Sequence, residues 1–96
     1  MTLTESIEYD KIEIVGPYKN IQVREATVIK KDGEELTRKF RRYVLGAGKL
    51  NESGDFVETD ISSEPTDVQI VCNAVWTDTI KNSLKTVLIA NKDNLL

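Results

Sequence analysis

The chain contains no histidine and only one cysteine, Cys72, among its 96 residues. Without imidazole or a second thiolate it has no disulfide framework, no metal site of the usual nitrogen and sulfur ligands and no histidine-assisted nucleophile. Cys72 shares an apolar stripe, which favours a small core residue over a nucleophile. We therefore expect a protein that is not an enzyme and that uses no cofactor or metal.

Long apolar runs and aromatic residues are also scarce, the latter at 6% of the chain. The core must therefore be built from aliphatic side chains, and we expect no membrane partner. The start of the chain has neither the basic residues nor the apolar stretch of a signal peptide, so we expect a product that is not secreted.

The strongest structural signal is the Asp32-Gly33 pair, because both central positions of a type I′ turn need a positive φ. It predicts a two-residue hairpin between strands 21–31 and 34–45, with residue i opposite residue 65 minus i. Residues 11–15 alternate as a further short strand, and residues 1–10 are polar and expected to be flexible. Residues 11–45 of this single domain, 1–96, should thus form an antiparallel meander.

This register sorts the hairpin side chains onto two faces. The predicted inward face carries Ile21, Val23, Glu25, Thr27 and Ile29 opposite Val44, Arg42, Phe40, Arg38 and Leu36. The predicted solvated and basic face carries Gln22, Arg24, Ala26, Val28 and Lys30 opposite Tyr43, Arg41, Lys39, Thr37 and Glu35.

An acidic connection over residues 46–64 follows, in which Leu50 and Phe56-Val57 can pair as a second small hairpin or a fourth strand. Pro65 and the capping-box sequence Thr66-Asp67-Val68-Gln69 then predict a helix that starts near Thr66 and occupies residues 66–91.

The apolar residues of this helical segment form two stripes on nearly opposite sides. The first comprises Val68, Val71, Cys72 and Val75, and the second Ile80, Leu84, Val87 and Leu88. Either the helix breaks near Trp76, with Thr77 capping a second segment, or it is continuous and its second stripe meets another chain. Ile80, Leu84 and Val87 are therefore candidate interface residues, and Trp76 is either a core or an interface anchor.

Charge is segregated along the chain, whose net charge is −3. Residues 19–49 carry nine basic and four acidic side chains, whereas residues 50–96 carry three basic and eight acidic ones. Such segregation can steer partners or draw copies of the chain together, or it can be neutralised internally; we favour internal neutralisation.

Two groups of hairpin charges are candidate sites. Glu25 lies diagonal to Arg38 and Arg42, which favours a structural ion network, or interface anchors if a second chain shares that face. Arg24 faces Arg41 with Lys39 nearby, so an anion such as nucleic acid could compensate, although the sequence pI of about 4.9 argues for a solvated edge.

Two blocks, IEIVGPYKNIQVREATVIKKDGEE at 12–35 and DVQIVCNAVWTDTIKNSLK at 67–85, cover about half the chain. Through them the chain resembles short uncharacterised proteins encoded by marine tailed bacteriophages, including cyanophages, and found in ocean metagenomes. The resemblance implies that the gene lies among virion genes and that the protein is located in the host cytoplasm or the virion. It carries over no catalytic or binding residue.

These observations predict an α+β fold. A three-stranded or four-stranded antiparallel meander is covered on its Ile21, Val23, Ile29 and Phe40 face by a C-terminal helix or broken helix pair. Our leading hypothesis is a non-enzymatic structural or assembly module that forms homo-oligomers or docks on another phage protein. The alternative is a nucleic-acid-binding accessory protein that uses Arg24, Lys39 and Arg41.

Overall fold

A computed structural model describes residues 2–94 and confirms the α+β class, with a three-stranded antiparallel meander and a C-terminal helix pair. In chain order the elements are β1 (Leu3–Val15), β2 (Asn20–Lys31), β3 (Glu34–Leu45), β4 (Gly48–Leu50), β5 (Phe56–Glu58), α1 (Thr66–Val75) and α2 (Asp78–Asn94). β2 is the central strand of the meander. The second small hairpin is confirmed, but β4 and β5 pair only with each other, so the meander has no fourth strand.

The first strand is much longer than residues 11–15, and the expectation that residues 1–10 are flexible is wrong for the described ones, because Leu3 already pairs with Lys31. Met1 lies outside the described residues. A register shift between Tyr9 and Lys11 changes the alternation from odd to even positions. This bulge hides the strand from a simple period-two reading of the sequence.

The Asp32-Gly33 turn forms as predicted, with φ values of 51° and 89°. The predicted register holds for Lys31 opposite Glu34, but Leu36 has no partner on β2 and Ile29 pairs with Thr37 instead of Leu36. This bulge shifts every later pair by one residue and therefore turns the later β3 side chains to the other face. The predicted face assignment of β3 is wrong from Thr37 onward.

We call the face of the sheet on which the helices pack the front face, and the opposite face the back face. The front face carries Ile21, Val23, Glu25, Thr27 and Ile29 of β2 with Thr37, Lys39, Arg41, Tyr43 and Leu45 of β3. The back face carries Gln22, Arg24, Ala26, Val28 and Lys30 of β2 with Glu35, Arg38, Phe40, Arg42 and Val44 of β3.

The hydrophobic core lies where α1 packs on one end of the front face. Its buried members are Ile21, Val23, Ala47, Val68, Cys72 and Trp76. Burial of Ile21 and Val23 under the helices is confirmed. Ile29 and Phe40 are not part of this core, since Ile29 lies farther along the sheet and the bulge places Phe40 on the back face.

The helical segment starts at Thr66 and breaks at Trp76, so the broken pair is confirmed and the continuous helix is wrong. The Thr77 hydroxyl oxygen accepts a 3.3 Å hydrogen bond from the Ile80 N–H at the start of α2. The predicted capping box does not form, because Pro65 is the N-cap and the Gln69 amide donates to the Glu64 carbonyl instead. The break lets Leu84 of α2 pack on the same core as Val71 of α1.

The molecule is elongated, measuring 61 × 27 × 21 Å with a radius of gyration of 17.8 Å. A compact domain of this length has a radius of gyration of about 13 Å. The core takes Ile21 and Val23 from one end of β2, and the sheet continues from there toward the Asp32-Gly33 turn without adding residues to it. We call this projecting part, residues 3–7, 27–31 and 34–39, the distal sheet. Of the helices in the described part of the chain, none combines the length and apolarity needed to span a bilayer.

Trp76 should anchor the turn between β1 and β2 as well as the core. Its indole N–H donates a 2.7 Å hydrogen bond to the Lys19 carbonyl, and its side chain is only 7% exposed. We expect Trp76→Phe to lower the free energy of unfolding by about 1–3 kcal/mol, since that carbonyl loses its donor. Urea denaturation measures this, with Ile70→Ala as a control at an exposed helix position expected within about 0.5 kcal/mol of wild type. Equal effects of the two variants would contradict this role.

Two single-residue deletions should separate the bulge from the paired residues of β3. Deleting Leu36 removes the bulge and keeps every pair from Thr37 onward, so we expect stability within about 1 kcal/mol of wild type. Deleting Lys39 instead forces Arg38 and Thr37 onto the opposite faces and should destabilise the fold clearly more. Urea denaturation of both variants checks the order, and the reverse order would show that the bulge itself is needed.

Candidate functional site

The back face carries a connected group of charged side chains. Arg24 binds Asp10 through two hydrogen bonds, at 2.9 Å from Nε and 3.0 Å from Nη2. Arg38 contacts Glu35 at 2.8 Å, Glu8 at 3.0 Å and Asp10 at 3.3 Å. We call Glu8, Asp10, Arg24, Glu35 and Arg38 the back-face ion network.

Within this network Arg38 reaches across the whole sheet. It stands on β3, whereas Glu8 and Asp10 belong to β1, two strand spacings or about 9.5 Å away. Beneath this span lie Ala26 and Val28 of β2, both fully buried although neither belongs to the core under the helices. We attribute their burial to the aliphatic stems of the network side chains, which arginine can lay over apolar surface.

Hydrogen bonds within the network favour the charged forms of Asp10, Glu35 and Arg38. The hydrogen bond from Arg24 lowers the pKa of Asp10 below its usual value, and the hydrogen bond from Arg38 does the same for the pKa of Glu35. The hydrogen bond to Glu35 in turn raises the pKa of Arg38. Arg24 and Arg38 therefore have their counterions within the chain, which agrees with internal neutralisation of the basic hairpin.

On the front face Glu25 pairs with Arg41, whose Nε lies 3.0 Å from Glu25 Oε2. The Arg41 guanidinium also lies over the Tyr43 ring at 4.9 Å from its centroid. The Tyr43 hydroxyl donates a 2.7 Å hydrogen bond to Glu64, and burial raises its pKa. This chain of contacts ties the acidic connection to β3.

The predicted group of Glu25, Arg38 and Arg42 is therefore wrong. Glu25 lies on the front face with Arg41, whereas Arg38 and Arg42 lie on the back face, because the Leu36 bulge exchanged their sides. Arg42 stacks over Phe40, with its guanidinium carbon 5.8 Å from the ring centroid.

The predicted basic face of Arg24, Lys39 and Arg41 is wrong for the same reason. Arg24 is opposite Arg42 on the back face, while Lys39 and Arg41 are on the front face. Arg24 and Arg41 each bind a carboxylate of the same chain. The nucleic-acid alternative thus loses the single cationic surface on which it depended.

The helical residues that were predicted as interface candidates do not form an open surface. Trp76 is buried in the core of its own chain, which settles its role as a core anchor. Leu84 packs against that core, and Ile80 and Val87 are half-buried on α2. The second apolar stripe is therefore largely used within the chain.

Apolar side chains on the front face of the distal sheet were missed by the sequence reading. Leu3 is 60% exposed and Ile7 is 54% exposed. Half-buried Ile29 is paired with Glu5, which lies between Leu3 and Ile7 on the same face. We call Leu3, Ile7 and Ile29 the distal patch. The two-residue and four-residue spacing of Leu3, Ile7 and Tyr9 was the available signal, hidden by the bulge after Tyr9.

A shallow groove of about 260 Å³ crosses the back face at the other end of the sheet. Its polar lining consists of Lys11, Glu13, Gln22, Arg24 and Arg42. Lys11 pairs with Glu13 at 3.0 Å, and among the described side chains no carboxylate pairs with Arg42.

No three histidine, cysteine or acidic side chains within residues 2–94 come together as a metal-ligand set. Burial raises the pKa of Cys72, which favours the unreactive thiol over the thiolate. What the sheet offers is surface, namely two long edges and the distal patch.

Comparison with known proteins finds no matching family model, no matching curated protein and no matching solved structure.

Removal of the Asp10 carboxylate, which Arg24 and Arg38 share, should test the network. The pKa of Asp10 is lowered in the fold, so its stabilisation is complete above the ordinary value of 3.8 and is lost as the pH falls through the lower folded value. We expect Asp10→Asn to melt at a lower temperature at pH 7 and to lose less stability than wild type on further acidification. Thermal melts between pH 7 and pH 2 measure both effects.

A matched control is Asp55→Asn, which removes the same charge from an exposed residue that makes no ion pair within the described part of the chain. It should melt like wild type. If both substitutions lower the melting temperature equally, the network adds nothing specific.

Proposed function

We propose that this protein is a non-enzymatic structural or assembly module that acts through protein–protein contacts. The observation that carries the proposal is the distal patch, whose apolar side chains lie on the front face among Glu5, Thr27 and Lys39, away from the core under the helices. The resemblance to marine phage proteins supports a setting in the virion or the infected host cell.

The distal patch differs from an ordinary open sheet face. An antiparallel sheet with one face in water normally presents polar side chains there. Leu3 and Ile7 instead leave more than half of their side-chain surface exposed on that face. Covering apolar surface is favourable by roughly 25 cal/mol per Å², so a partner seated on the distal patch gains affinity from it.

The shape of the molecule supports the same function. The distal sheet projects from the helical body, so a partner can approach it from the front face without meeting α1 or α2. Sheets usually bury an apolar face against a second layer of structure. Here a second protein surface supplies that layer.

Substitution of the distal patch should weaken association. We expect wild-type protein to show a mass that rises with concentration in sedimentation equilibrium, and Leu3→Ser with Ile7→Ser to shift the curve toward monomer by about tenfold in concentration. The reason is loss of apolar surface from the contact.

The control is Ile70→Ser, which changes a residue on α1 that is 61% exposed and lies outside the sheet. It should associate like wild type. Strictly monomeric wild type up to high micromolar concentration, with no partner bound from a phage lysate, would overturn the proposal.

A further inference from the structure

The two open edges of the sheet carry opposite charge. β1 holds four acidic side chains and one basic one, a balance of −3, and β3 holds four basic and two acidic ones, a balance of +2. Because β2 lies between them, these charges stand at opposite edges of the sheet. Each copy of the sheet is therefore dipolar across its width.

Internal ion pairs leave part of this charge available. Among the described residues, Glu5 on β1 and Glu34, Lys39 and Arg42 on β3 make no ion pair. Glu34 stands at the turn end of β3, opposite Lys31. Glu13 pairs only with Lys11, and both side chains are about half exposed, so that pair contributes little. The acidic edge thus offers Glu5 and Glu13, and the basic edge offers Lys39 and Arg42.

These four charges are matched by face. Glu5 and Lys39 share the front face, and Glu13 and Arg42 share the back face. If β3 of one copy lies beside β1 of the next without a shift, Lys39 is level with Ile7, two residues from Glu5. Arg42 is then level with Lys11, a like charge whose ion-pair partner Glu13 lies two residues farther along the same face. Diagonal neighbours about 7–8 Å apart are within reach of long side chains.

We propose that β3 of one copy pairs with β1 of a second copy, so that this chain assembles head to tail into a continuous sheet. The inference rests on the proposed function, and it names a second copy of this chain as a partner that is held at the edges of the sheet and not on the distal patch. β1 and β3 run in the same direction within the meander, so copies in equal orientation form a parallel pair. Such a contact is heterologous and closes into a ring or continues as a filament.

The same charges exclude the other pairings of edges. A two-fold pair of β1 edges would bring acidic strands together, and a two-fold pair of β3 edges would bring basic strands together. Each edge also contains a bulge, at Asp10 in β1 and at Leu36 in β3, and bulges restrain indiscriminate pairing of edge strands. Charge therefore selects the partner edge.

Charge reversal on either edge provides the test. The variant Lys39→Glu with Arg42→Glu has two acidic edges, and the variant Glu5→Lys with Glu13→Lys has two basic edges. In sedimentation equilibrium at low salt, each alone should associate at least about tenfold more weakly than wild type, and an equimolar mixture should recover association. Salt at 0.5 M should weaken both the wild-type and the mixed assemblies.

Two further variants keep the result interpretable. Lys49→Glu with Lys85→Glu changes the net charge by the same amount as Lys39→Glu with Arg42→Glu, but outside the meander. This variant should associate like wild type. Lys39→Gln with Arg42→Gln tests loss of the basic edge without adding acid and should weaken association less than reversal does. Urea denaturation confirms that each variant is folded.

The outcomes separate the inference from the function on which it rests. Association that ignores the edge reversals, or a mixture that stays monomeric, overturns the head-to-tail contact. If that association is still lost with Leu3→Ser and Ile7→Ser, the proposed function stands without it. Wild-type protein that is monomeric in every buffer and at every concentration overturns the edge pairing directly.

Discussion

The structure depends most on the reach of Arg38 across the central strand. A three-stranded sheet with helices on one face leaves its other face without a covering layer, yet Ala26 and Val28 are fully buried there. The guanidinium of Arg38 holds Glu8 and Asp10 of the far edge strand, and the side chains between them close over β2. A sheet this thin is thereby covered on its back face by side chains rather than by another element.

The position of Arg38 on the back face depends on a single unpaired residue, Leu36. In the register set by the turn alone, Arg38 would face the helices and Tyr43 would face away from them. The bulge at Leu36 reverses both, which places Arg38 with the acids of β1 and Tyr43 within 2.7 Å of Glu64. One residue of slip decides which charges are neutralised inside the chain and which stay at the edges.

The elongated shape follows from the small size of the core. Aliphatic residues are sufficient for one small cluster under α1 and α2, so the remainder of a sheet of 12-residue and 13-residue strands projects without a helical layer. The projecting part carries the three side chains of the distal patch on its front face and charged side chains on both edges. The proposed contacts with other proteins depend on these surfaces.

Local signals in the sequence determined the Asp32-Gly33 turn and the start of the helical segment at Thr66, because they act on neighbouring backbone only. The sequence offered the small hairpin and the helix break only as alternatives, to a fourth strand and to a continuous helix. Tertiary structure decided the two bulges, since each is fixed by strand pairing and by the core that the pairing allows. Faces, ion partners and the role of Trp76 follow from those bulges and from the packing of α1. Candidate charges could be listed from the sequence, but their partners could not, because one bulge in an edge strand reassigns a whole set of side chains.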